Sequence, residues 1–413
     1  MAHFAVITPA LPSHVSVHLC LAQTLMERGH RVSLLGPDGL MKVAEGLPQH
    51  PPLPRILEIG RPQVRKGKGF LQLLRRLAAE TALHCEATPD ILRQIGVDAV
   101  ICDQMEPGGS LAAEVAGLPR ITLASALPAN REPGLPPPFV GWRYAEGPRA
   151  EKHFAAAWRV SDWLMSAQSR VLLEACARHG LPPRGWLSDW VSPLCDLAQG
   201  VPSLDFPRMA PGPGFHWIGS VRGPDTDSFP IDSGGRPLVF ASLGTLQGGR
   251  VRLMRNIAQA CADLDLCLAL AHCGGLTQAQ VARLPGRPVV RDFFPQRAVL
   301  AQAAAVVTHG GFNTVLDAAE HGVPMVVVPL AYEQPAIAAR LERAGAARVV
   351  PRWRASRAAL RDALSAVLHE PSYRAALVRP AAEIRAAGGV DRAADLIEAA
   401  VPSRPAVLAA GAG

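Results

Sequence analysis

The chain has no uninterrupted apolar run near the roughly 18 residues that a membrane-spanning helix requires, so no span is expected. Its opening, MAHFAVITPALPSHV, lacks a basic region and is broken by Pro9 and Pro12, so a secretory leader is not expected either. The eight scattered cysteines form no CxxC pair, which removes the usual zinc and redox signatures and leaves reduced, buried thiols in a cytoplasmic protein. Neither GxGxxG nor GxxxxGK[ST] occurs, so dehydrogenase and ATPase readings have no support. There is no short repeat, and 49% hydrophobic with 19% charged residues excludes disorder.

What is present suits an enzyme of two lobes. A length of 413 residues exceeds one ordinary core and fits two domains of about 200 residues each. Much of the formal charge of +7 is local: between Arg55 and Arg76, seven basic residues (Arg55, Arg61, Arg65, Lys66, Lys68, Arg75, Arg76) meet only Glu58. Nucleic-acid binding asks for interleaved aromatics, and Phe70 alone is there, so no nucleic-acid partner is expected. A solvated face is the plainer reading of residues 55–76. Phe70, Leu71, Leu73 and Leu74 beside Arg75 and Arg76 add a second one, reversible contact with an anionic membrane surface.

Strand, helix and strand alternate over residues 3–8, 15–28 and 31–35, and again over 98–102, 110–116 and 120–124. This is βαβ patterning and predicts a parallel, doubly wound sheet. Seven prolines and six glycines between Val201 and Pro237 mark a linker. A second βα series follows, with strands predicted at 238–242, 267–271, 305–308 and 325–329 and helices at 357–368 and 373–401. The expected division is a first βα domain at 1–215, a linker at 216–237, a second βα domain at 238–385, and a helix and tail at 386–413.

In open parallel sheets ligands bind beyond the carboxyl ends of the strands. His14, Asp103, Thr245, His309, Glu333 and Gln334 follow predicted strands. In THGGFNTVLD (308–317), Gly310 and Gly311 permit close approach of a ligand, and a helix beginning at Asn313 or Thr314 offers free amides to a phosphate. Asp317, one turn in, is placed to accept from ribose hydroxyls. Two DxD triplets, Asp263-Leu264-Asp265 and Asp225-Thr226-Asp227, read as chance acidic pairs, and no metal is expected. Cys102 and Cys273 read as strand-end packing.

Residues 291–335, RDFFPQRAVLAQAAAVVTHGGFNTVLDAAEHGVPMVVVPLAYEQP, resemble the nucleotide-sugar signature of the UDP-dependent glycosyltransferases. VICDQMEPGG (100–109), NREP (130–133), DFPR (205–208), FASLGTLQG (240–248) and LAHCG (270–274) narrow the resemblance to the zeaxanthin glucosyltransferase branch of bacteria. The resemblance implies an α/β GT-B architecture, with two Rossmann-like doubly wound domains facing each other across a cleft, the first (1–215) binding acceptor and the second (238–385) binding the UDP-sugar donor.

It also implies roles. Phe293 stacks on uracil, where plant relatives carry tryptophan, and Gln296 holds the nucleoside. His309, Gly311 and Thr245 sit at the diphosphate, Asn313 and Thr314 bind phosphate or sugar, and Asp317 takes the ribose. Glu333, in place of the usual aspartate, and Gln334 bind sugar hydroxyls. Met105, Glu106, Asn130 and Arg131 are the acceptor-side candidates. A neutral imidazole oriented by a carboxylate suits deprotonation of an alcohol, which gives His14 and Asp103 the roles of base and orienting partner. The activity implied is inverting transfer of glucose from UDP-glucose to a hydroxylated carotenoid, by a protein peripheral to the inner face of the cytoplasmic membrane with no permanently bound cofactor. Transfer to a polyketide or sterol, a UDP-sugar-binding module, and a UDP-sugar epimerase are the alternatives.

Overall fold

Short runs rich in Val, Ile and Leu, mostly buried, make two wholly parallel sheets in this computed structural model, which describes residues 1–47, 53–64, 70–223, 228–245 and 247–401. The first lobe contains β1 (His3–Ile7), β2 (Arg31–Gly36), β3 (Arg55–Glu58), β4 (Ala99–Asp103), β5 (Arg120–Ala124), β6 (Asp196–Ala198) and β7 (Phe215–Trp217). They lie in the order β3-β2-β1-β4-β5-β6-β7. The second contains β8 (Leu238–Ser242), β9 (Cys267–Ala271), β10 (Val289–Arg291), β11 (Ala305–Thr308), β12 (Met325–Val327) and β13 (Ala347–Val349), in the order β10-β9-β8-β11-β12-β13. Strand order reverses between β1 and β4 and between β8 and β11, the points at which doubly wound sheets open a ligand crevice.

Helices of the first lobe are α1 (Pro12–Glu27), α2 (Leu40–Glu45), α3 (Phe70–Ile95), α4 (Pro107–Val115), α5 (Pro148–Leu164) and α6 (Ser166–Arg178). The second lobe has α7 (Val251–Asp263), α8 (Gln278–Val281), α9 (Gln296–Leu300), α10 (Phe312–Glu320), α11 (Gln334–Arg343), α12 (Arg357–His369), α13 (Pro371–Ala375) and α14 (Val378–Ala386). The last helix, α15 (Gly389–Ala400), crosses back. Its Ala393, Ala394 and Ile397 join the first-lobe core with Val17, Leu21 and Leu25, and Arg28 donates to Asp395 at 2.6 Å and Glu398 at 3.1 Å. The whole is the GT-B arrangement of two Rossmann-like lobes about a cleft.

Three expectations shift. The first helix starts before the expected residue 15: Pro12 occupies the start of α1, where a missing amide costs nothing, so His14 lies in the first helical turn. Residues 215–217, within the Pro- and Gly-rich stretch, form β7 and pair with β6, so the crossing between lobes starts at Ile218. The helical pattern over 373–401 is divided among α13, α14 and α15. Asp225 and Asp227, with 402–413, lie outside the described residues.

The two crossings touch. A Cβ at Gly219 would stand 2.8 Å from the Ile384 carbonyl, and one at Gly389 would stand 2.6 Å from the Ser220 carbonyl, and both glycines have positive φ. Elsewhere the lobes are tied by charge: Arg340 of α11 donates to Asp205, which also receives Arg208 at 2.7 Å, and Arg208 continues to Glu132 at 3.0 Å. The DFPR and NREP segments therefore build an interlobe ion network.

Candidate functional site

Both strand-order reversals open into one cleft of about 870 Å³ between the lobes. From the first lobe, His14 Nδ1 lies 2.7 Å from Asp103 Oδ2. Asp103 is the last residue of β4, and its carboxylate also accepts from Ser125 Oγ at 2.8 Å and the Met105 amide at 2.8 Å. With Nδ1–H donated to the carboxylate, Nε2 of His14 is the basic nitrogen. One turn on, His18 is fully buried, with Nδ1 3.1 Å from the His14 carbonyl and 3.7 Å from Asp103 Oδ2.

The electrostatics follow from this packing. Burial disfavours charge on His14, but the Asp103 charge and hydrogen bond, helped by Glu333, outweigh it and raise the imidazole above its ordinary value. Burial alone would raise Asp103, yet His14 first and then His18 and the Met105 amide hold its carboxyl down at about 2. His18 is lowered by burial and stays neutral beside them.

The second lobe supplies the other wall. Gly311 caps α10 with no side-chain hydrogen bond, leaving first-turn amides open toward the cleft. The His309 ring is clamped between glycines: a Cβ at Gly244 would sit 2.7 Å from it, and one at Gly311 would sit 2.5 Å from it. Burial pushes His309 down to about 4, so it is neutral, and its Nδ1 has no partner among the described residues. Gln296 ties two expected residues together, accepting from Thr314 at 3.0 Å and donating to Asp317 at 2.6 Å. Gln334 spends its carbonyl on the Leu330 and Ala331 amides and turns toward the cleft, beside Glu333, whose carboxyl burial raises. Thr245 and the half-exposed Phe293 complete this wall.

Of the acceptor candidates, Met105 lines the cleft, and the other three do not. Glu106 is fully buried as the cap of α4, accepting from Gly108 at 3.2 Å and Thr81 at 3.0 Å. Asn130 is consumed by Asp196 at 2.8 Å and the Pro211 carbonyl at 3.0 Å. Arg131 stacks on Trp158 at 4.7 Å and pairs with Asp162 at 3.1 Å. The first-lobe half of the cleft is instead apolar, with Leu73, Leu77, Phe139, Val160 and Leu164 on its wall. Leu73 and Leu74 turn into the cleft, which splits the apolar cluster expected to meet a membrane; Arg65, Lys66 and Lys68 lie outside the described residues.

Sequence reasoning missed His18, Ser125 and Arg222. His18 stands at helical spacing from His14, and Ser125 follows the end of β5, so both carried a signal. Arg222 carried none: it comes from the crossing segment, donates Nε to Asp317 at 3.0 Å, and borders the cleft. Among the other expectations, Asp263 is taken by Arg357 at 2.5 and 2.6 Å. Burial pushes the Cys102 thiol to about 12 and the Cys273 thiol to about 11.

The family described as UDP-glucoronosyl and UDP-glucosyl transferase matches residues 203–385. The zeaxanthin glucosyltransferase of Pseudescherichia vulneris is 40% identical, over 98% of this chain and 100% of the relative. That of Pantoea ananas is 39% identical, over 96% of each. Among solved structures, the glycotransferase of kitacinnamycin superposes with a TM-score of 0.76 at 23% identity, covering 97% of this chain and 99% of that one.

Proposed function

Because the chain belongs to the UDP-glucoronosyl and UDP-glucosyl transferase family, we propose that it is an inverting enzyme that moves glucose from UDP-glucose to a hydroxyl of zeaxanthin. The observation that carries the proposal is the His14–Asp103 pair, 2.7 Å apart, held over an apolar half-cleft and opposite the α10 amides. His14 Nε2 takes the proton of the acceptor hydroxyl as its oxygen attacks the anomeric carbon. The bond from that carbon to the β-phosphate oxygen breaks on the opposite face, and UDP leaves with the electron pair. An α-linked donor thus yields a β-glucoside. Asp103 balances the imidazolium, while the α10 amides and the His309 ring take the charge growing on UDP. These groups need no metal ion to do so.

An apolar cleft wall and two zeaxanthin-acting relatives favour a carotenoid over other lipophilic alcohols. No helix among the described residues is long and apolar enough to cross a membrane. We infer that the enzyme meets a bilayer-borne acceptor from a peripheral position at the inner face of the cytoplasmic membrane. Incubating purified protein with dispersed zeaxanthin and a panel of UDP-sugars, with NMR of the product, is the test. A β-glucoside from UDP-glucose is expected; no product, or an α-linked one, overturns the proposal.

A further inference from the structure

Helix α5 carries a stripe that the cleft absorbs only in part. Arg149, Lys152, Ala156, Val160 and Trp163 recur at three- and four-residue spacing and so share one face. That face is turned away from the helix's buried residues Ala150, Phe154 and Ala157. Trp163 is 72% exposed and Val160 57%, although both are large and apolar. Arg159 adjoins the stripe, and none of Arg149, Lys152 and Arg159 has an acidic partner among the described residues. Ala156 and Val160 are also cleft wall, so the stripe continues the apolar lining out to the surface. Beside α5, Trp142 is wall and 44% exposed, packed at 6.4 Å on Phe154 of that helix.

Cleft size explains why the lip is apolar. About 870 Å³ is the room that one drug-sized ligand takes. Here it must admit a nucleotide sugar and the reacting end of an acceptor, so a long acceptor projects past Val160. In water that projecting part would be exposed; against a bilayer it stays in hydrocarbon. Tryptophan at the apolar end of a helix face and basic residues at the other suit the boundary between acyl chains and anionic headgroups.

The geometry points to the α5 face, Arg149 to Trp163, as the surface that seats on an anionic lipid bilayer and turns the acceptor half of the cleft toward it. This rests on the lipophilic acceptor proposed above and specifies where the bilayer is met. The contact is reversible, since one helix face with three unpaired cations gives adhesion without insertion.

The test uses the full chain and a variant carrying Trp163→Ser, Arg159→Ser and Lys152→Ser, none of which lines the cleft. Partition is measured by sedimentation with vesicles of equal phosphatidylglycerol and phosphatidylcholine, and depth by quenching of tryptophan fluorescence with chain-brominated lipid. Wild type is expected to sediment and be quenched, and the variant to bind roughly tenfold more weakly or worse. Transfer to zeaxanthin in vesicles should fall in parallel, while transfer to zeaxanthin in detergent is unchanged. Equal binding and quenching of the variant overturns the inference, as does loss of binding through Leu71→Ser with Arg75→Ser on α3 in its place. Failure of wild type on detergent-dispersed zeaxanthin strikes the proposed activity and leaves the vesicle result to be read on its own.

Discussion

Asn313 donates its side-chain amide to the Ser13 carbonyl at 3.3 Å, across the cleft, so the first turn of α10 is fastened to the residue before His14. Gln199 holds the same side chain by its oxygen, also at 3.3 Å. Donor wall and candidate base are thereby in register without a substrate between them.

Asn313→Ala should lower kcat by about fivefold with a smaller change in UDP affinity, since one neutral hydrogen bond is worth about 1 kcal/mol. Asn313→Asp should be worse, because a carboxylate beside the phosphate-facing amides repels UDP. Calorimetric titration with UDP and steady-state rates check both; an Asp variant binding UDP like wild type contradicts the diphosphate location.

The His14–Asp103 pair makes a prediction in pH. With His14 raised above 6.5, activity should fall as pH drops through that higher value, because protonation removes the base. His14→Ala should lose about 100- to 10,000-fold in kcat while UDP still binds. Asp103→Asn should lose less and move the acid limb of kcat/KM to lower pH, as burial remains and the raising charge is gone. An unmoved limb in Asp103→Asn would assign the titration to another group.

At the diphosphate wall, His309→Ala should weaken UDP binding, and Gly311→Ala should imitate it, since the new Cβ drives into the imidazole. Both effects should be the same in excess chelator. Activity that requires added Mg²⁺ or Mn²⁺ would replace this account with a metal-borne phosphate.

Arg340→Met removes one partner from a pair whose side chains are both 2% exposed. Leaving Asp205 buried with Arg208 alone should cost about 3–5 kcal/mol, read by denaturant unfolding. A variant as stable as wild type would show that water reaches the interlobe seam.

Residues that lie where a parallel strand ends were legible in the sequence, because the topology delivers every such end to one edge; His309, Asp103 and Thr245 are examples. The acceptor side was not. Glu106 and Asn130 sit next to cleft residues in the chain, but polarity at a strand-to-helix turn is as readily spent on capping and internal hydrogen bonds as on a ligand. Arg222 and the three-residue β7 lie in a stretch too short of periodicity to announce structure. The return of α15 depends on packing against α1, which no local pattern encodes.

The paired crossings at Gly219 and Gly389 run backbone against backbone with no room for a side chain between them. A body joined to another through a single thread swivels about any axis. Two threads held side by side act like the pins of a door and leave one easy rotation, about the line through both. A side chain wedged at either glycine would force the two threads apart and tilt that door without touching the chemistry.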